Sequence, residues 1–186
     1  MNIKRYKEEY YSILRLDSLF STNLFFVDVF NSKLKNIPYG ITQITFGYDF
    51  NCEVDNLPQS LKNLTFGHSF NQLVDNLPQN LTNLTFNYEF NQNVDNLPQG
   101  LLNITFGENF NQSVDNLPNS IILINLSYNY YFSKELNCLP NSITEIKLPI
   151  VYNQEIKNIH SSLKKIFCSS SYQYINLHSN IDYIIY

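Results

Sequence analysis

Charge is scarce in this chain: Asp, Glu, Lys and Arg make up 15% of its 186 residues, and the net charge is -4. That balance leaves no basic patch for nucleic acid or an anionic membrane, so neither is expected as a partner. Cysteine is equally sparse. Cys52, Cys138 and Cys168 occupy three different places in the repeat described below, so they form no regular ladder of bridges and are expected to be free thiols. No stretch approaches the roughly 18 apolar residues needed to span a bilayer. The start, Met1 to Tyr10, is polar and lacks a secretory signal, which predicts a soluble, intracellular, cytoplasmic protein rather than a secreted one.

Signatures of catalysis are missing as well. His68, His160 and His178 stand in unrelated contexts without metal-ligand spacing, and there is no Gly-rich phosphate loop and no nucleophile elbow. No catalytic, cofactor-binding or metal-binding residue is therefore named, and a non-enzyme without cofactors is expected. Asn-x-Thr/Ser triplets at Asn63, Asn80, Asn83, Asn103 and Asn111 would be glycosylation acceptors in a secreted protein, but three share one repeat position and read better as strand chemistry.

What is present is repetition. Asn56-Leu57-Pro58, Asn76-Leu77-Pro78 and Asn96-Leu97-Pro98 return every 20 residues, each followed by Phe70-Asn71, Phe90-Asn91 or Phe110-Asn111, and Pro38 and Pro118 extend the series. A period this short means a solenoid, in which each unit is one turn of a coil that buries its apolar side only against its neighbours. Within Asn63-Leu64-Thr65-Phe66-Gly67 apolar and small polar residues alternate with period two, predicting a short strand, and stacked units predict a parallel sheet. Pro58 belongs at the turn into the strand, since it cannot donate to a ladder. Gly67 is expected at the exit turn, where positive φ is anticipated. Leu57, Leu61, Phe70 and Val74 should point inward, and the constant Asn51, Asn71, Asn91 and Asn111 should bond backbone groups of the next coil.

The spacing Leu61-x-x-Leu64-x-Phe66, with Leu-Pro upstream, resembles a leucine-rich repeat, and the recurring Phe-Asn-Gln, Asn-Leu-Pro and Leu-Thr-Phe-Gly more closely resembles the FNIP repeats of amoebae and giant viruses. The resemblance covers residues of about 30 to 168. It implies a mainly β, leucine-rich-repeat-like coil with a parallel sheet and, since some relatives carry an F-box, a substrate-recognition role linked to ubiquitin ligation. One departure stands out: leucine-rich repeats usually place Asn three residues after the last strand apolar residue, but Ser69, Glu89 and Asn109 occupy that place here and the constant Asn comes two residues later.

The ends decay, as terminal coils do. The expected division of one solenoid domain is an N-terminal cap and degenerate first coil over 1–29, repeats over 30–168, and a degenerate last coil over 169–186. Tyr6, Tyr10, Ile13 and Leu14 at helical spacing suggest a short helical cap, and Leu24-Phe25-Phe26 a first strand. Two extra residues enter between Tyr128 and Tyr131.

Such a sheet exposes columns of side chains. Asn63, Asn83 and Asn103 form one, Thr65, Thr85 and Thr105 another, and just past the strand Tyr48, His68, Tyr88, Glu108 and Tyr128 form a third. Tyr and amide side chains give large contact area with adaptable hydrogen bonding, so these are the candidate protein-binding residues; the same columns can equally serve to satisfy and cover neighbouring coils. Asp55, Asp75, Asp95 and Asp115 form a further column. At about 4.8 Å spacing, neighbouring carboxylates repel by roughly 0.9 kcal/mol even in water. Backbone donors in the Asp-Asn-Leu-Pro turn, a cation or a basic partner could offset that. The reading is a non-catalytic interaction scaffold with an unidentified protein partner. The alternative is a structural protein that self-associates end to end.

Overall fold

The computed structural model describes the backbone of residues 13–15, 22–35 and 37–186. Among the described residues ten strands lie in one sheet in chain order: β1 (Ile13–Arg15), β2 (Asn23–Phe26), β3 (Gln43–Thr45), β4 (Asn63–Thr65), β5 (Asn83–Thr85), β6 (Asn103–Thr105), β7 (Leu123–Asn125), β8 (Glu145–Lys147), β9 (Lys165–Cys168) and β10 (Asp182–Ile185). From β2 to β10 every pairing is parallel, and in the repeats residue i faces residue i+20, as Asn63 faces Asn83 and Thr65 faces Thr85. This is a leucine-rich-repeat-like β-solenoid, and no helix occurs among the described residues. The helical spacing at the N-terminus is corrected accordingly: Ile13 and Leu14 lie in β1, which pairs antiparallel with β2. An edge strand supplies backbone partners to β2, which a helix could not do. Tyr6 and Tyr10 lie outside the described residues.

Three residues per strand suffice because each strand is only one side of a coil. Leu64, Leu84 and Ile104 point inward between half-exposed neighbours, giving the alternation that period two demands. After the strand come a turn, a buried Phe, an extended segment with Val74 or its counterpart, and a second turn that carries Pro58. The Leu61 N–H donates to the Pro58 carbonyl at 3.0 Å, so proline stands at the head of the turn that feeds β4. Leu57, Leu61, Phe70 and Val74 are all buried as expected.

Aromatic rings fill the centre. Phe66 and Phe70 stack within one coil at 3.6 Å between centroids, and Phe70 meets Phe90 of the next coil at 6.1 Å. The column runs on through Phe110 and Phe132 to Tyr152 and Tyr172, which replace Phe in the last coils. Burial holds both phenols well above the usual tyrosine value, while their hydroxyls reach the carbonyls of Lys134 and Gln154. Tyrosine thus fits a Phe site only where a neighbouring coil offers an acceptor.

Gly67 has a different role from the one its turn position suggested, because its φ is not positive. A Cβ there would collide with the Gly47 carbonyl oxygen one coil away, and a Cβ on Gly107 would strike the Asn87 backbone. Close approach of coil to coil is what selects glycine. Gly40 is the glycine with positive φ, at 100°.

Candidate functional site

Three rows of polar side chains run along the solenoid. The first is half-buried in its framework. Asn51 Oδ1 accepts the Asn71 backbone N–H at 2.9 Å, Asn71 accepts Asn91 at 3.0 Å, and Asn91 accepts Asn111 at 2.8 Å. The same oxygens also accept the amides of Gln72, Gln92 and Gln112. Every donor in this ladder belongs to the coil that follows, which is the structural role expected of the repeated Phe-Asn-Gln.

The second row is the aspartate column. Its carboxylates are met mainly by side chains of the next coil, and not by the turn backbone that was expected to bond them: Asn76 donates to Asp55, Asn96 to Asp75 and Asn116 to Asp95, at 3.1 to 3.2 Å. An amide thus lies between successive carboxylates and offsets their repulsion. Asp95 additionally accepts from Asn93, and Asp115 accepts from Ser113, in each case two residues earlier. Among the described residues no group of three or more His, Cys, Asp or Glu could hold a metal ion.

The third row lies on the outer sheet face and its exit edge. Asn83 donates to Asn63 and Asn103 to Asn83, both at 2.7 Å, so these amides are partly occupied by one another. Thr65, Thr85 and Thr105 stand half-exposed beside them. Leu102 and Ile122 are exposed just before β6 and β7. On the exit edge the rings of Tyr48 and His68 stack at 4.2 Å, and those of His68 and Tyr88 at 4.6 Å, in a continuous pile across three coils. Tyr48 is 51% and Tyr88 36% exposed. His68 Nδ1 is covered within the pile and has no hydrogen-bond partner. Glu108 comes next and interrupts the stack; its carboxylate, followed by burial and Tyr131, raises the Tyr88 phenol above its ordinary value.

Tyr128 is 70% exposed in the following coil. There the two extra residues push Tyr130 and Tyr131 outward, and Phe132 takes the place in the core column. Asn129 holds this bulge. It is buried, donates to the Gly107 and Phe110 carbonyls at 2.9 and 2.6 Å, and accepts the N–H groups of Tyr131 and Phe132 at 2.8 and 2.6 Å. The sequence reading passed over Asn129, although it stands three residues after Leu126, the leucine-rich-repeat asparagine place that Asn109 also fills and that Asp49, Ser69 and Glu89 do not. It also passed over Ser60, Ser120 and Ser142, whose hydroxyls donate to the Ile41, Leu101 and Ile121 carbonyls of the preceding coil.

The FNIP Repeat family matches residues 30–69, 52–76 and 70–109. Residues 30–109 are FNIP repeats. The chain also aligns with a solved giant-virus structure, CroV588, described as a novel circular LRR protein structure, at 38% identity and a TM-score of 0.70 over 80% of this chain. This chain spans 24% of the length of that protein. No curated protein sequence matches the chain. The FNIP solenoid is a repeat scaffold, of a kind that serves protein interaction or structure. Among the described residues no helix is long and apolar enough to cross a membrane.

Proposed function

We propose that this FNIP solenoid is a non-catalytic protein-interaction scaffold that binds its partner along the exit edge and the adjoining sheet face. The exposed pile of Tyr48, His68 and Tyr88 carries this reading. Stacking has already immobilised these rings, so a partner that lies across them covers aromatic surface with little further loss of side-chain freedom. The framework rows have spent their hydrogen bonds on neighbouring coils, whereas the exit edge varies from coil to coil and presents different chemistry at each step. Thr65, Thr85 and Thr105 offer hydroxyls beside it, and the Asn63, Asn83 and Asn103 ladder sets their spacing. Affinity purification with mass spectrometry tests the reading: a Tyr48→Ala/Tyr88→Ala/Tyr128→Ala variant should lose the partners that the parent retains. An unchanged partner set from the folded variant places the interface elsewhere.

A structural role is the second reading, and the similarity to a protein described as a circular LRR structure favours it. Two copies stacked through β10, where Ile185 and Tyr186 are exposed, would extend the sheet. Light scattering across a concentration series separates the two readings. A strict monomer rules out assembly, and self-association abolished by altering the terminal coils supports it.

A further inference from the structure

The aromatic pile stops at one place, and the way it stops is informative. Rings at one position per coil stack at 4.2 and 4.6 Å from Tyr48 to Tyr88, which is the spacing of successive coils. The next coil supplies Glu108 instead of a ring, and the one after it supplies Tyr128 and the outward-pushed Tyr131. Two coil steps are about 9.6 Å, enough for one flat group between Tyr88 and the tyrosines beyond, on the coil that carries Glu108. The surroundings are of one sign. Between strand and buried Phe, the exit segments from Val27 to Phe132 carry Asp28, Asp49, Glu89 and Glu108 and no lysine or arginine.

We infer that the gap at Glu108 is a slot for a guanidinium group, so that the partner is a protein segment that presents an arginine to the exit edge. This rests on the reading of that edge as the interface. A guanidinium is planar and weakly hydrated, stacks on a tyrosine face, and can donate two parallel hydrogen bonds to one carboxylate; an ammonium can do neither the stacking nor the bidentate bonding. Glu108 stands one coil beyond Tyr88, where the Asn109 N–H donates to the Tyr88 carbonyl at 3.0 Å, so carboxylate and ring lie on neighbouring coils where one cation can use both. Asn129 supports the far wall by anchoring the bulge that carries Tyr131.

The test is a titration of the full chain, labelled at tyrosine rings, with N-acetyl-arginine methylamide at pH 7.5, followed by NMR. Resonances of Tyr88 and Tyr131 should shift saturably. The citrulline counterpart, neutral and nearly isosteric, should bind about tenfold more weakly, as should the lysine counterpart. Glu108→Gln should weaken arginine binding by a similar factor, and Glu108→Tyr, which restores the missing ring, should abolish it without lowering the melting temperature. Equal binding of arginine and citrulline, equal binding of arginine and lysine, or binding that survives in Glu108→Tyr overturns the inference. The outcomes also separate the two proposals. Partners lost in the triple tyrosine variant but retained by Glu108→Gln leave the interface standing and remove the slot. An arginine-specific slot combined with partners indifferent to the triple variant does the reverse.

Discussion

Replacing Asn91 by Leu tests the framework argument most directly. Asn91 Oδ1 accepts the Asn111 N–H at 2.8 Å and the Gln112 amide at 3.1 Å. Gln112 keeps a second acceptor, the Asn91 carbonyl, whatever side chain stands there, so the loss falls on the Asn111 N–H. That group is partly buried between coils, and orphaning a buried donor costs about 1–3 kcal/mol. The contact of a leucine side chain with its surroundings returns a fraction of this, leaving a net cost of about 2 kcal/mol. Asn91→Asp keeps the acceptor and should change stability by less than about 0.5 kcal/mol, since the flanking members of the column, Asn71 and Asn111, are neutral. Asn153 provides the contrast. Its Oδ1 accepts the Gln173 N–H at 2.9 Å in the same geometry, but the site is exposed and water can replace the amide, so Asn153→Leu should cost less than about 1 kcal/mol. Urea unfolding followed by far-UV circular dichroism measures all three. Coils couple only to neighbours, so the Asn91 variant should also show a broader transition as the interface between two central coils weakens. Equal costs at positions 91 and 153, or an Asp variant as damaged as the Leu variant, would refute the claim that an orphaned backbone donor sets the penalty.

Asn129→Ala removes four hydrogen bonds from a buried site and should cost about 3 kcal/mol, with loss of the fixed positions of Tyr130 and Tyr131; calorimetry and tyrosine NMR read the two effects. Phe86→Ala empties a fully buried position that stacks on Phe90 at 3.6 Å, and a loss of about 3–5 kcal/mol is expected in urea unfolding. Tyr152 and Tyr172 keep their protons in the folded chain beyond the pH at which unfolded tyrosine loses them, near 10. Their contribution is therefore complete below about pH 10 and declines above it, by up to about 1.4 kcal/mol per pH unit for each phenol. Changing both to Phe should flatten the fall in melting temperature between about pH 10 and 11.5.

Much of this molecule was legible in the residues because its interactions are periodic. A side chain that repeats every 20 residues in a solenoid meets its own counterpart, so burial of Leu61 or Phe70 and the bonding of Asn91 follow from spacing alone. Glycine at position 67 was read correctly as special and wrongly explained, since sequence shows that a residue is small but not which backbone passes beside it. The helical pattern at Ile13 and Leu14 failed for a related reason: over so few residues the demand of the β2 edge for a pairing strand outweighs local periodicity.

The candidate site divides along the same line. That residues 48, 68, 88 and 108 share one column was visible from the period, because in-register parallel strands carry equivalent residues to equivalent places. That three of these side chains stack, that Glu108 interrupts the stack, and that Asn129 buries itself to push Tyr130 and Tyr131 outward depend on distances of a few ångströms between coils. Spacing along the chain determines which residues become neighbours. Rotamers, the inserted pair and the competition for hydrogen bonds determine what those neighbours do, and these are decided only when the coils close on one another.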